Sequence, residues 1–329
     1  MEKSLVRRRG FLAVLAASLL LPRLASAQQG AVIGTLHSGA PDLHSSGLEA
    51  LRRGLAEMGY VEGRNLVIES RFAEGNAERL AALAAELAQR PVAAILTFGG
   101  TPVVMAAKRA TSTVPIVFTI GADPVRLGLV ESLNHPGGNL TGTTIIDTEV
   151  RTKQFALLHE LVPDAKRVGF LTDPNNPTIA QSIPGAEKAA AAFGWTLALY
   201  KPASADAIAA SFQAMKDEGI AGLVVSSAPV FFPRTAEIVA QAARLGIPAV
   251  YPIREYAVAG GLASYGADIP EAFHTTARLV GKILAGAKPA DLPVEQATKF
   301  ELVLNLKAAK RLGLAIPATF LARADQVIE

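Results

Sequence analysis

The sequence contains no cysteine. That excludes a disulfide framework, a thiolate nucleophile, an iron–sulfur cluster and any zinc site built on Cys. Histidine is scarce and scattered, with His37, His44, His135, His159 and His274 at no metal-ligand spacing such as H-E-x-x-H, so neither a metal nor a cofactor is expected. Aromatic residues make up 6% of the chain and charged residues 19%, against 50% hydrophobic, a balance that excludes a disordered chain. Past residue 27 no apolar run is long enough to cross a bilayer. An excess of one charge is missing too. The formal charge of +3 traces to the first 27 residues, where Lys3, Arg7, Arg8, Arg9 and Arg23 face only Glu2, and the remainder holds 27 basic and 28 acidic residues. A near-neutral chain with no basic stripe has no field drawing it to nucleic acid. Also missing are the phosphate loop G-x-x-x-x-G-K-[ST], the nucleophile elbow G-x-S-x-G and the dinucleotide fingerprint G-x-G-x-x-G. No catalytic residue is assigned on this reading, although a carboxylate pair of the glycosidase kind has no sequence signature and stays open.

What is present begins with an address label. A basic start precedes the apolar run Phe11–Leu21, and Ala25-Ser26-Ala27 is a small-residue cleavage site. Arg8-Arg9-Gly10-Phe11-Leu12 fits the R-R-x-F-L pattern of the twin-arginine route; an ordinary secretory signal with one extra arginine is the alternative. Residues 1–27 are read as a signal peptide. The mature chain is expected to start near Gln28, soluble and in the periplasm, and without cysteine it cannot carry a lipoprotein anchor.

Beyond the signal, short β-branched runs alternate with amphipathic helical stretches. Val32–Leu36 reads as a strand, then Leu48, Leu51, Leu55 and Met58 share one helical face that Gly59 closes. Leu66–Ser70 is a second strand, followed by Asn76 as helix N-cap and the stripe Leu80, Leu83, Leu87. Ala93–Thr97 and Pro115–Phe118 continue the series. The pattern returns about 135 residues later in Val168–Leu171, Phe193-Gly194-Trp195, Gly222–Ser226 and Ile247–Tyr251. Strands separated by helices of this length make right-handed βαβ units and parallel sheets. The fold class is therefore α/β, with two doubly wound parallel-sheet lobes, and extra tail elements that a chain crossing back to the first lobe would explain, giving a hinge of several strands. The expected division is 28–145 plus 258–286 for the N-terminal lobe and 146–257 plus 287–329 for the C-terminal lobe.

Ligands of open parallel sheets sit outside the carboxyl ends of the strands. In the first lobe those turns carry Ser38, Gly39, Phe98, Gly99, Gly100, Thr101, Gly121, Asp123 and Thr144. In the second they carry Asp173, Asn175, Asn176, Ser226, Tyr251 and Tyr256, and the tail strand that follows adds Tyr265 and Asp268. Hydroxyls, amides and helix-start N–H groups suit a carboxylate, the three aspartates suit an ammonium, and the aromatic rings suit an apolar side chain. Each also has a plainer reading. Asp123 and Asp173 precede prolines, as turn and cap residues do, Tyr265 fits a core strand position, and His37 and His135 read as ordinary loop residues.

Certain stretches resemble a known family. Gly59-Tyr60-Val61-Glu62-Gly63-Arg64-Asn65-Leu66, Arg71–Asn76 with Arg79-Leu80, Gly121-Ala122-Asp123-Pro124, Pro136–Gly142, Arg254-Glu255-Tyr256 and the tail Leu321–Glu329 are similar to ABC transporter substrate-binding proteins of the tryptophan/tyrosine-type group. The resemblance covers the whole mature chain. It implies a type 1 periplasmic binding fold, its two lobes joined by a three-crossing hinge, that captures an amino acid or related small carboxylate by hinge closure. The partners it implies are that small molecule and a membrane ABC permease, with no nucleic acid and a monomeric chain. Where the group often carries an acidic residue in the second lobe, this sequence has Ser226-Ser227-Ala228-Pro229. Two rival readings stand beside it: a ligand receptor for a signalling partner, and an exported α/β hydrolytic enzyme.

Overall fold

The computed structural model describes residues 30–41, 45–145, 147–174, 179–228 and 230–329. The export signal at 1–27 and the site candidates Asn175 and Asn176 lie outside the described residues. The first lobe begins β1 (Ala31–His37), α1 (Ser45–Glu57), β2 (Leu66–Phe72), α2 (Ala77–Gln89), β3 (Ala94–Phe98), α3 (Thr101–Ala110), β4 (Ile116–Ile120) and β5 (Leu140–Thr144). The second lobe follows with α4 (Asp147–Leu161), β6 (Arg167–Leu171), α5 (Ile179–Ala192), β7 (Thr196–Tyr200), α6 (Ala205–Asp217), β8 (Leu223–Val225), α7 (Thr235–Leu245), β9 (Ala249–Tyr251), α8 (Arg254–Val258) and β10 (Ala263–Ala267). The tail consists of α9 (Ile269–Leu284), β11 (Glu295–Gln296), β12 (Phe300–Asn305), α10 (Leu306–Arg311), α11 (Ala318–Leu321) and β13 (Gln326–Ile328).

The sheets are wound alike. The first runs β11-β5-β4-β3-β1-β2 and the second β13-β12-β10-β9-β8-β6-β7, so β1 to β5 of one lobe take the places of β6 to β10 in the other. Among the described residues the β10–β12 pairing alone is antiparallel and the other strand pairs are parallel. Strands covered on both faces are predominantly apolar, and β3, apart from Thr97, and β9 are apolar and buried at every position. The local signals act as expected. The Asn76 side chain accepts the Arg79 N–H at 2.9 Å to start α2, and Gly59 and Gly194 take φ of 88° and 70° where their helices end.

The lobe boundaries differ from those expected from the sequence. β10 pairs in parallel with β9 and lies in the second sheet, so the chain returns to the first lobe at Asp268 rather than at 258. The stretch 287–294 stays with the first lobe, where the Thr141 hydroxyl donates to Leu292 O at 2.8 Å and β11 pairs with β5. The final return falls between Gln296 and Phe300, not at 287.

The returning α9 is locked to α1 by close approach. A methyl at Gly54 would stand 2.7 Å from Ala277 Cβ and 3.2 Å from His274 O, and one at Gly47 would meet the Phe273 ring at 2.8 Å. Beside them His274 Nε2 and Glu57 Oε2 lie 2.8 Å apart. Gly54→Val is therefore expected to lower stability by about 1–3 kcal/mol through overpacking. Denaturation followed by circular dichroism measures this, because the sole tryptophan, Trp195, reports the second lobe. An unchanged midpoint would contradict the tight seam.

Candidate functional site

Every crossing between lobes joins one carboxyl edge to the other. The first leaves β5 after Thr144, the second leaves β10 after Ala267, and the third runs from the end of β11 into β12 at the Ala267–Phe300 pair. Asp268 N donates to Lys299 O at 3.1 Å, and Lys299 Nζ sits 2.6 Å from Asp268 Oδ2, which ties the second crossing to the third. The same carboxylate accepts Glu271 N at 3.0 Å as the N-cap of α9. Burial pushes the Asp268 carboxyl up, but the hydrogen bonds from Lys299 and Glu271 N with the charges of Lys299 and Arg254 hold it below its ordinary value. Next to it, burial raises Glu301 against the pull of Arg254, which stands 3.7 Å away.

In the first lobe the turns after β1 and β3 interlock. Ser38 N donates to Phe98 O at 3.2 Å and the Ser38 hydroxyl to Gly99 O at 3.3 Å. Gly99 is required here: its φ is 107°, and a methyl on it would fall 1.9 Å from Ser38 Oγ. Gly100, with φ of 87°, caps α3 without any side chain; Pro102 has no N–H and Val103 N donates to Gly100 O at 3.1 Å, so the helix start offers the N–H groups of Gly100 and the buried Thr101. Gly121 is half-buried in the turn beyond β4. Thr144 donates to Ala122 O at 2.8 Å and fixes that turn rather than standing free. Asp123 is engaged locally: Oδ1 accepts Val125 N at 2.9 Å and Arg126 N at 3.2 Å, and Oδ2 lies 3.4 Å from the Arg126 guanidinium.

In the second lobe Asp173 is buried just beyond β6, and Ser226 stands next to that strand end through its N–H to Leu171 O at 2.9 Å. Ser226 Oγ is enclosed and has no protein hydrogen-bond partner.

Three of the four aromatic candidates are taken up by core packing. Phe98 is fully enclosed, stacked on Phe273 at 4.1 Å and on His37 at 5.2 Å. Tyr251 and Tyr256 stack on each other at 4.9 Å inside the second-lobe core, where burial raises both phenols. Tyr265 is half-buried against Phe300 at 6.1 Å and packs on the α4 side of the sheet. The structure also supplies residues the sequence reading passed over. His37 is no loop residue: it ends β1, wholly buried, with its Nε2 2.9 Å from Thr35 Oγ1 and its ring stacked between Phe72 and Phe98. On α4, Arg151 is buried with its guanidinium 5.2 Å from the Phe170 ring centre, and Gln154 donates to Tyr265 O at 2.8 Å. The only sequence signal for these two is a polar pair on a face otherwise occupied by Val150, Phe155 and Leu158.

Residues 31–328 match the family described as ABC transporter substrate binding protein. The chain belongs to that family. As a substrate-binding protein of an ABC system, it has a small molecule and a membrane permease as its counterparts. A tyrosine-binding protein of Clostridioides difficile (strain R20291) is 24% identical over 269 residues, covering 80% of this chain and 75% of the relative. Among solved structures, an ABC domain from Streptococcus pneumonia in complex with L-Trp superimposes with a TM-score of 0.84 at 26% identity, over 91% of this chain and 100% of that one. A conserved domain protein from Vibrio cholerae gives a TM-score of 0.84 at 27% identity, over 90% and 99%. This substrate-binding protein thus has the two-lobed α/β fold of periplasmic binding proteins.

Its hinge pair gives a pH test. Because Asp268 titrates below its ordinary 3.8 when folded, the stabilisation is present above that value and lost as pH falls through the folded pKa. Asp268→Asn keeps an N-cap residue but removes the charge. The melting-temperature gap between wild type and this variant should be widest near neutral pH and close below about pH 4. A gap independent of pH would contradict an electrostatic role for the pair.

Proposed function

We propose that this chain is the exported capture component of an ABC importer for an amino acid, and that L-tryptophan or L-tyrosine is the class it binds. The observation that carries the reading is the charge asymmetry of the two edges. The first-lobe edge offers the uncapped start of α3 at Gly100 and Thr101 with the Ser38 hydroxyl, a setting for a carboxylate. The second-lobe edge offers the buried Asp173 carboxylate beside Ser226, a setting for an ammonium. A zwitterion bridges both edges only when the lobes close, so it shifts the population toward the closed form. The aromatic side chain is suggested by the relatives, one solved with L-Trp and one called tyrosine-binding; Phe98, Tyr251 and Tyr256 are spent in the cores.

On this reading the protein binds and does not catalyse. The signal at 1–27 delivers it to the periplasm, and among the described residues no helix is long and apolar enough to cross a membrane. The binding lobes are 30–145 with 268–297, and 147–267 with 299–329, presented as one closed surface to the permease.

Calorimetric titration with L-tryptophan, tryptophan amide and indole-3-propionate is the direct test. Each analogue lacks one charged end and should bind about tenfold to a hundredfold more weakly, as expected for a lost hydrogen bond to a charged group. Analogues that bind as well as the amino acid would sink the two-edge reading.

Mutation separates the two aspartates. Asp173→Ala should weaken L-tryptophan binding at least about tenfold. Asp123→Ala should cost about 1 kcal/mol of stability through its lost turn bonds and leave affinity within a factor of about two. The reverse pattern would move the ammonium site to the first lobe.

A further inference from the structure

The loop after β2 reaches back to the turn after β1. Glu74 has φ of 53°, a left-handed value that a residue with a Cβ resists, and Gly75 follows with φ of 81°. These two consecutive left-handed residues aim successive N–H groups the same way. Gly75 N donates to Ser38 O at 2.7 Å and Glu74 N to Gly39 O at 3.4 Å, while Ala73 N donates to His37 O at 2.9 Å. From the opposite side Ser38 is held by Phe98 O and Gly99 O. The Ser38–Gly39 turn is therefore clamped between two loops. Nothing lies within 4 Å of where a Gly75 Cβ would be, so glycine serves the backbone conformation at this exposed position and not a steric need.

We propose that Glu74–Gly75 is a positioning element for the first-lobe half of the ligand site, fixing Ser38 and Gly39 and thereby setting affinity. The proposal rests on the reading of the Ser38 turn as ligand-facing. A residue at 75 that resists the left-handed conformation relaxes the loop outward and frees Ser38 O. Ligand must then draw the turn back, and apparent affinity falls by the fraction of molecules still competent.

Gly246 supplies the control. Its φ is 68° and it too has nothing within 4 Å of a Cβ, but its N–H closes α7 in the second lobe, on Ala242 O and Ala243 O. L-Tryptophan and L-tyrosine titrations of wild type, Gly75→Ala, Gly75→Asn and Gly246→Ala are combined with hydrogen exchange of the Ser38 amide in the free proteins. Gly75→Ala should weaken binding about tenfold and speed Ser38 exchange by a similar factor. Gly75→Asn, which tolerates the left-handed region, should restore both to within about twofold. Gly246→Ala should lower the melting temperature while leaving affinity and Ser38 exchange as in wild type. Wild-type affinity in Gly75→Ala, or equal weakening by Gly246→Ala, overturns the proposal. If wild type binds neither amino acid, the amino-acid reading falls by itself and exchange decides: faster exchange at Ser38 in Gly75→Ala alone supports the positioning role, and unchanged exchange overturns it.

Discussion

Parallel strands send all their carboxyl ends to one edge of a sheet, and each following helix begins at that edge. Here two sheets with the same winding obey this constraint, and the three crossings attach at those edges and nowhere else. The turn donors of the first lobe and the buried Asp173 of the second follow from that placement. So does the antiparallel pairing of β12 with β10: β12 enters the second sheet from the hinge, at the carboxyl edge, and has to run against β10.

Some polar groups at the edges are taken up by the scaffold itself. Asp123 and Asp268 carry the residue type that suits an ammonium, yet backbone N–H groups and a basic neighbour already occupy each. The His37 ring and the Phe98 ring stack behind the Ser38 and Gly100 turns, and Tyr251 and Tyr256 stack on each other in the second-lobe core. The Asp268–Lys299 pair ties two of the crossings together.

Periodicity made the fold legible. Val32–Leu36, Ala93–Thr97 and Gly222–Ser226 each fall within two residues of the strand found, because strands covered on both faces are predominantly apolar along their length. Asn76, Gly59 and Gly194 mark helix ends for reasons local to the backbone. The site was less legible, because Asp123-Pro124 and Asp173-Pro174 have the same local pattern and differ only in what surrounds them, an exposed turn for the first and a buried strand end for the second. Tyr251 and Tyr256 sit five positions apart on a strand and a helix, so their mutual stack has no periodic signature. His37 lay one residue past the expected strand end, enough to turn a buried side chain into an apparent loop residue. The crossing at Asp268 depended on which sheet β10 joins, a matter of long-range pairing.

Closure of the two carboxyl edges on one ligand is the central claim, and the cysteine-free sequence makes it directly measurable. Cysteines introduced at the exposed Val125 beyond β4 and the exposed Lys201 beyond β7 would carry one spin label on each lobe. Pulsed electron–electron resonance then reads the distance between the two edges. Saturating L-tryptophan should shorten and narrow that distance distribution. An unchanged distribution in a sample shown calorimetrically to be saturated would contradict the account.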